Sequence, residues 1–206
     1  MFTTPRLIVV ALCAALNCAV GTVVYLIKLP IYLDSIGTIL CALLLAPARC
    51  VAFVCACLAG TIGILITGLV NPYLPFFWLT VVAIALVSAL LTADGAAIYR
   101  ARPMPTAAFV VRVVGYGIVT GLIAAVVSAP VVAYQFGGVT GSGSTFIVAL
   151  FLKAGEQLLS AVLLSGLAAE PVDKTLQVLL AALLYRATPA DFIALLQGEG
   201  AEQTSR

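Results

Sequence analysis

The chain contains no histidine. That removes the commonest metal ligand and the commonest general base near neutral pH. Charge is almost as scarce: of 206 residues, 9% are Asp, Glu, Lys or Arg, whereas 64% are hydrophobic. A soluble domain of this size needs far more polar surface to cover itself. With a mean hydropathy of +1.23, the composition specifies a polytopic membrane protein of one domain, spanning residues 1–206. The net charge of +2 and the lack of a basic patch leave no footprint for nucleic acid. Paired acids and a nucleophile beside its base are also missing, so no enzymatic chemistry is expected.

Cysteine is present but not in any useful pattern. Cys13, Cys18, Cys41, Cys50, Cys55 and Cys57 all lie in or beside apolar segments, and none forms a Cys-x-x-Cys pair. Cys55 and Cys57 point to different sides of a helix. They are expected to be small packing residues, with neither a disulfide framework nor a metal site, and no cofactor is implied.

Long apolar runs organise the rest. Arg6 precedes one that continues to Ile27, too long for a signal peptide, and Asn17 before Cys18 spoils a lipoprotein cleavage box. A retained first helix is therefore expected over residues 7–27. Within it Ala11, Ala15 and Ala19 share one face, either an approach surface for another helix or ordinary internal packing. Further spans are expected over about 32–46, 50–68, 77–93, 107–134 and 172–188. Pro47 to Arg49 forms a turn after the second. Gly60 and Gly63 allow close packing in the third, and Gly117 and Gly121 have the spacing of a close helix crossing in the fifth. Asn71 to Pro75 reads as a loop with an aromatic rim of Phe76, Phe77 and Trp78. Residues 94–106 form a polar connection with Arg100, Arg102, Pro103 and Pro105.

One glycine-rich stretch imitates a nucleotide-binding loop. Gly138 to Thr145 fits the phosphate-loop template except that Ser144 stands where lysine belongs, and no strand precedes it. Nucleotide binding is not expected. Residues 146–169 carry Lys153, Glu156 and Gln157, with Lys153 and Glu156 spaced to pair on a helical face. Two charges inside an apolar segment suit a cavity-lining lid or re-entrant helix better than a lipid-facing span. Six spans are then expected, or seven if 146–169 also crosses, with a further turn at Asp173–Lys174 before the last. A cytoplasmic N-terminus places Arg6, Arg49, Arg100, Arg102 and Arg112 inside, leaving Lys28 outside, which satisfies the positive-inside rule.

In this topology the polar groups gather at the outer end. Lys28 to Thr38 holds Pro30, which breaks a helix, and Asp34, a carboxylate that needs a reason to sit at a membrane segment's edge. The stretch reads as a loop dipping toward a cavity before starting the next helix. The candidate ligand contacts are Tyr32, Asp34, Thr38, Asn71 and Tyr73, followed by Gln135, Thr140, Lys153, Glu156 and Gln157. Each also has a plainer role: Tyr32 and Tyr73 as interfacial anchors, Asp34 as a helix cap, Asp173 and Lys174 as a mutual pair. Asp34 favours a cationic or hydrogen-bond-donating ligand, whereas Lys153 favours a carboxylate.

Leu29-Pro30-Ile31-Tyr32-Leu33-Asp34-Ser35-Ile36-Gly37-Thr38, the turn at Pro47, Phe136-Gly137-Gly138-Val139-Thr140-Gly141-Ser142-Gly143 and Asp173-Lys174-Thr175 together resemble the substrate-binding S components of energy-coupling factor (ECF) vitamin transporters. The resemblance covers most of the chain. It implies an all-α bundle of six helices in a prokaryotic cell membrane that captures a small water-soluble vitamin or precursor at its outer face. It further implies docking to a transmembrane coupling subunit driven by two ATPase subunits, with Ala11 and Ala15 on the docking face. Two departures stand out. Ala46-Pro47-Ala48-Arg49 replaces the family's glycine-flanked turn, and Met1 is followed by Phe2 rather than the histidine of cobalt and nickel members, so a transition-metal cargo is not implied. The alternative is a ligand-sensing membrane domain, against which counts an end about twenty residues beyond the last helix.

Overall fold

The computed structural model describes residues 2–46, 48–93 and 106–197, and among them every regular element is helical. Pro47, the connection 94–105 and the tail from 198 onward lie outside the described residues, and with them the expected turn at Pro47 and the positions of Arg100 and Arg102. The elements are α1 (Thr4–Leu26), α2 (Ile36–Leu45), α3 (Arg49–Thr67), a single 3₁₀ turn (Leu74–Phe77) leading into α4 (Trp78–Ala93), and α5 (Thr106–Pro130), whose last turn widens to a π-helix (Val131–Gln135). Then follow α6 (Ser144–Lys153), α7 (Leu158–Ala187) and α8 (Ala190–Gln197).

Four helical stretches are long and apolar enough to cross a membrane: Thr4–Leu26, Arg49–Thr67, Leu74–Ala93 and Ala107–Gln135. A fifth is added if α7 and α8, bent by 102° at their junction, count as one span. Leu12, Val23, Leu65, Leu79, Val111 and Val126 point outward from these helices. Such a surface is the reverse of a soluble fold and matches a hydrocarbon surround.

The expected second span is much shorter as a helix. α2 has ten residues, a rise of about 15 Å, half the hydrocarbon thickness. It starts late because the chain returns beside α1 in non-helical form before coiling: Asp34 packs on Gly21, and a Cβ at Gly37 would meet the Cys13 carbonyl oxygen at 2.0 Å. The chain has thus passed several turns back along α1 before α2 begins. Exposed backbone at that depth requires partners, and polar side chains supply them. Asn17 Oδ1 accepts the Gly37 N–H at 2.6 Å, and Gln177 Oε1 accepts the Ser35 N–H at 3.0 Å. Asp34 does not cap this helix; the caps come from α1 and α7.

Glycines set the closest crossings. A Cβ at Gly60 would stand 2.5 Å from Val81 and one at Gly63 3.0 Å from Asn17, so α3 lies hard against α4 and α1. At the α5–α7 crossing, a Cβ at Gly117 would meet Thr175 Oγ1 at 2.3 Å and one at Gly121 would meet Pro171 backbone atoms at 2.6 Å. The pair at four-residue spacing does make a close crossing.

That crossing explains the main departure from expectation. The segment 146–169 is not one lid-like piece, and the last helix does not begin at 172. α6 stops at Lys153, Gly155 turns the chain at a φ of +94°, and α7 runs unbroken through Pro171 for thirty residues. Proline inside a helix removes one hydrogen bond, which membrane bundles tolerate when neighbours cover the site; here α5 seats Gly121 directly on it. Asp173 and Lys174, expected in an outer turn, are instead buried on the inner face of α7.

On α1 the face carrying Ile8, Ala11, Leu12, Ala15 and Ala19 is exposed, while Val9, Val10, Cys13, Ala14 and Asn17 are buried. Ordinary packing within the chain therefore does not account for the alanine stripe. All six cysteines are free thiols.

Candidate functional site

At the end of the bundle where α1 finishes and α4 begins, the helices part around a cavity. Its envelope measures about 600 Å³ including its open mouth. The walls come from the α1–α2 connection (Tyr32, Asp34, Ser35), the α3–α4 connection (Asn71, Tyr73, Phe77), the end of α5 (Ser128, Val132), the glycine loop (Thr140, Ser142) and α7 (Glu170, Lys174). Ile64, Leu74, Val81 and Ile84 supply an apolar lining. A mostly apolar hollow with a few converging polar groups is the usual form of a small-molecule site.

α7 provides its electrostatic centre. Glu170, Asp173, Lys174 and Gln177 recur at helical spacing along one face, and all four are buried. Lys174 Nζ lies 2.6 Å from Asp173 Oδ2, 3.3 Å from Glu170 Oε2 and 3.8 Å from Asp34 Oδ1. A lysine placed so deep would be very costly without carboxylates around it. Its ammonium also stands 5.8 Å from the centre of the Tyr32 ring, within cation–π range.

Asp173 holds the α1–α2 connection in place. Its Oδ1 accepts the backbone N–H groups of Tyr32 and Leu33, each at 3.0 Å, and its Oδ2 accepts Gln177 Nε2 at 2.7 Å. The connection needs this restraint because Lys28 and Leu33 have φ values of 56° and 50°. Such left-handed conformations cost side-chain-bearing residues of order 1–3 kcal/mol and persist only where surroundings dictate them. The result is that Tyr32 and Asp34 are both delivered to the cavity.

The glycine loop closes over the same connection. Gly143 donates its N–H to the Leu29 carbonyl at 3.2 Å, and Lys28 Nζ donates to the Gly141 carbonyl at 2.7 Å while sitting 4.1 Å from the centre of the Tyr25 ring. A Cβ at Gly143 would lie 2.4 Å from the Lys28 carbonyl oxygen, so only glycine permits this approach. From Tyr32 a relay of hydroxyls follows the loop: Tyr32 Oη donates to Ser144 Oγ at 2.8 Å, Ser144 and Ser142 lie 2.7 Å apart, and Ser142 and Thr140 lie 2.9 Å apart. Phe136 meets Tyr73 and Phe76 edge-on at 5.0 and 5.4 Å between ring centres, tying this loop to the α3–α4 connection.

The ten expected contacts divide cleanly. Tyr32, Asp34, Asn71, Tyr73 and Thr140 line the cavity. Thr38 lies behind its wall, accepting a hydrogen bond from Asn17 Nδ2 at 3.0 Å, and so serves the α1–α2–α3 packing. Gln135 is exposed on the π-turn, beside a shallow surface dip formed with Tyr134. Lys153, Glu156 and Gln157 are exposed around the break between α6 and α7. Because α6 ends at Lys153, the expected Lys153–Glu156 pairing on one helix face does not arise. Asp34 pairs with Lys174 rather than with Lys28 or Lys153.

Glu170, Lys174, Thr80, Ser128, Ser35 and Ser142 reach the cavity without having been singled out as ligand contacts. The charged pair had a readable signal, since Glu170, Asp173, Lys174 and Gln177 fall at positions i, i+3, i+4 and i+7 of an otherwise apolar segment. Reading Asp173–Lys174 as a turn before the last span cut that pattern in two. Among the described residues no cluster of histidine, cysteine or carboxylates is arranged to hold a metal ion. No protein-family model, no curated protein and no solved structure matches this chain.

Proposed function

We propose that this protein is the substrate-binding S component of an ECF-type importer, capturing a small water-soluble micronutrient and passing it on by docking to a transmembrane coupling subunit powered by two ATPase subunits. The observation that carries the reading is a polar, partly charged cavity at one end of a bundle whose sides are apolar. Buried ionisable groups in a bilayer are costly, and their gathering at an open cavity supports a ligand-binding role. Its walls include two of the stretches on which the resemblance rests, around Asp34 and Thr140. α7 contributes the third through Lys174.

The finer topology belongs to this proposal. Six crossings result if the descending 29–45 segment and α7 each count as one, with α6 and the glycine loop as the outer lid. Arg6, Arg49 and Arg186 stand at the end opposite the cavity, which supports a cytoplasmic N-terminus and an outward-facing cavity in a prokaryotic cell membrane. The exposed Ala11–Ala15 face is the docking surface in this reading.

Co-expression with a coupling subunit and its ATPases tests it. A stable complex is expected from wild type. Ala11→Trp combined with Ala15→Trp is expected to abolish complex formation while moving unfolding free energy by no more than about 0.5 kcal/mol, as for exposed positions generally. Isolation of the wild-type chain free of any coupling subunit would favour a sensory role instead.

A further inference from the structure

The cavity is unbalanced in charge. Three carboxylates, Asp34, Glu170 and Asp173, surround one ammonium, Lys174. Asp173 is fully engaged by two backbone N–H groups, Gln177 and Lys174, and Lys174 directs its hydrogen bond to Asp173. Asp34 and Glu170, which do line the cavity, share what remains of that single positive charge. Among the described residues no other cation is recorded beside them: Lys28 is held at the Gly141 carbonyl and the Tyr25 ring, and Lys153 is exposed where α6 ends.

Two buried atoms on the walls also lack hydrogen bonds. Glu170 is 7% exposed and its Oε2, although close to Lys174, makes none; Thr80 on α4 is 9% exposed and its Oγ1 makes none. Glu170 Oε2 has the 3.3 Å ion pair with Lys174 as its partner and Thr80 Oγ1 has none, and both residues line the cavity, so hydrogen-bonding capacity is left over at its walls for a ligand. Beside the polar side chains of Asn71, Ser128, Thr140 and Ser142, the lining has an apolar and aromatic part with Tyr73, Phe77 and Val81, which suits a flat ring better than a bare ion. A metal ion would need a shell of oxygen ligands, and among the described residues no group of acids is placed to provide one.

We infer that the cavity takes a small organic cation, a nitrogen heterocycle bearing a positive charge and at least one N–H donor, with its charged end at Glu170 and Asp34 and a polar substituent at Thr80. This rests on the cavity being the ligand site, as proposed above, and names the chemical class that site selects. A carboxylate ligand would meet two further acids and find Lys174 already engaged by Asp173. The exposed position of Lys153 removes the one argument for an anion.

The test uses the purified full chain in nanodiscs, with 4-aminopyridinium as the cationic probe and isonicotinate as its anionic counterpart, read by thermal shift and native mass spectrometry up to millimolar concentration. The cation is expected to bind and raise the melting temperature, and the anion is not. Glu170→Gln, which keeps shape and removes charge, should weaken the cation at least about tenfold, the equivalent of one lost charge-assisted contact. Thr80→Val should weaken it several-fold and carries the test if the first variant fails to fold. Stronger stabilisation by isonicotinate, no binding of the cation, or unchanged cation affinity in the folded variants overturns the inference. A cation-binding protein that never joins a coupling subunit would remove the import reading alone. A docked complex that prefers the anion would remove this inference alone.

Discussion

The two ends of this bundle are held together by different physics. At the end where α1 begins, α8 folds back beneath the helices, burying Ile193 and Leu196 beside Leu43 and Leu45. Arg6 Nε donates to the Leu196 carbonyl at 2.9 Å, and Gln197 Nε2 donates to the carbonyls of Leu44 and Ala46. Among the described residues that end is filled by dense apolar packing, with polar contacts from Arg6 and Gln197. At the opposite end, buried charges, hydroxyls and glycine turns hold three connections against one another. Packing of the first kind has no partial state, because interlocked side chains either fit or leave a void. Hydrogen bonds of the second kind can be exchanged for a ligand's. In the reading proposed above, the polar end with its open cavity is the one that receives a ligand.

Removing the charge that centres the cavity should have the largest effect. Lys174→Met strands three carboxylates, a defect of about 3–5 kcal/mol for a buried ion cluster that loses one partner. Denaturant unfolding in detergent is expected to show that loss, and ligand affinity to change with it because a charge has left the cavity wall. A stability equal to wild type would mean that the acids are not held by this lysine. The matching lesion at the plugged end is Leu43→Ala, expected to cost about 2–5 kcal/mol by leaving a cavity. Its signature is different: stability falls while ligand affinity in the folded fraction is unchanged. If Leu43→Ala altered affinity as strongly as Lys174→Met, the two ends would not be separable. The smallest effect belongs to the rim. Lys28→Asn keeps a residue that tolerates the left-handed backbone but cuts the tie to Gly141, costing no more than about 1 kcal/mol as an exposed contact. Hydrogen exchange should accelerate at the glycine loop and nowhere near α8. Uniform acceleration would show that the loop is not a separate latch.

Much of the frame was legible in the residues because membrane spans obey a length rule. The apolar runs that became α1, α3, α4 and α5 are each long enough to cross a bilayer, and the Gly117–Gly121 spacing announced the crossing on α7. Five of the ten expected contacts reached the cavity, for a related reason. Asp34 and Asn71 are polar groups beside long apolar runs, and such groups need a destination. Lys153, Glu156 and Gln157 looked equally out of place, yet they ended at an exposed break, because Gly155 stops α6 and frees them to face outward. Glu170 and Lys174 went the other way. Their proline and charges imitate a loop, and only the neighbouring surface of α5 makes a continuous helix the better solution.

Composition and pattern alone determined that this chain has helices long and apolar enough to cross a bilayer, that these pack through small residues, and that the α1–α2 connection carries something unusual at Asp34. The tertiary structure decided which charges share a cavity. Asp34 and Lys174 are 140 positions apart, and no local periodicity can report a 3.8 Å approach between them. It is fixed by the backbone N–H groups of Tyr32 and Leu33, which must find an acceptor away from water and find it in Asp173 on α7.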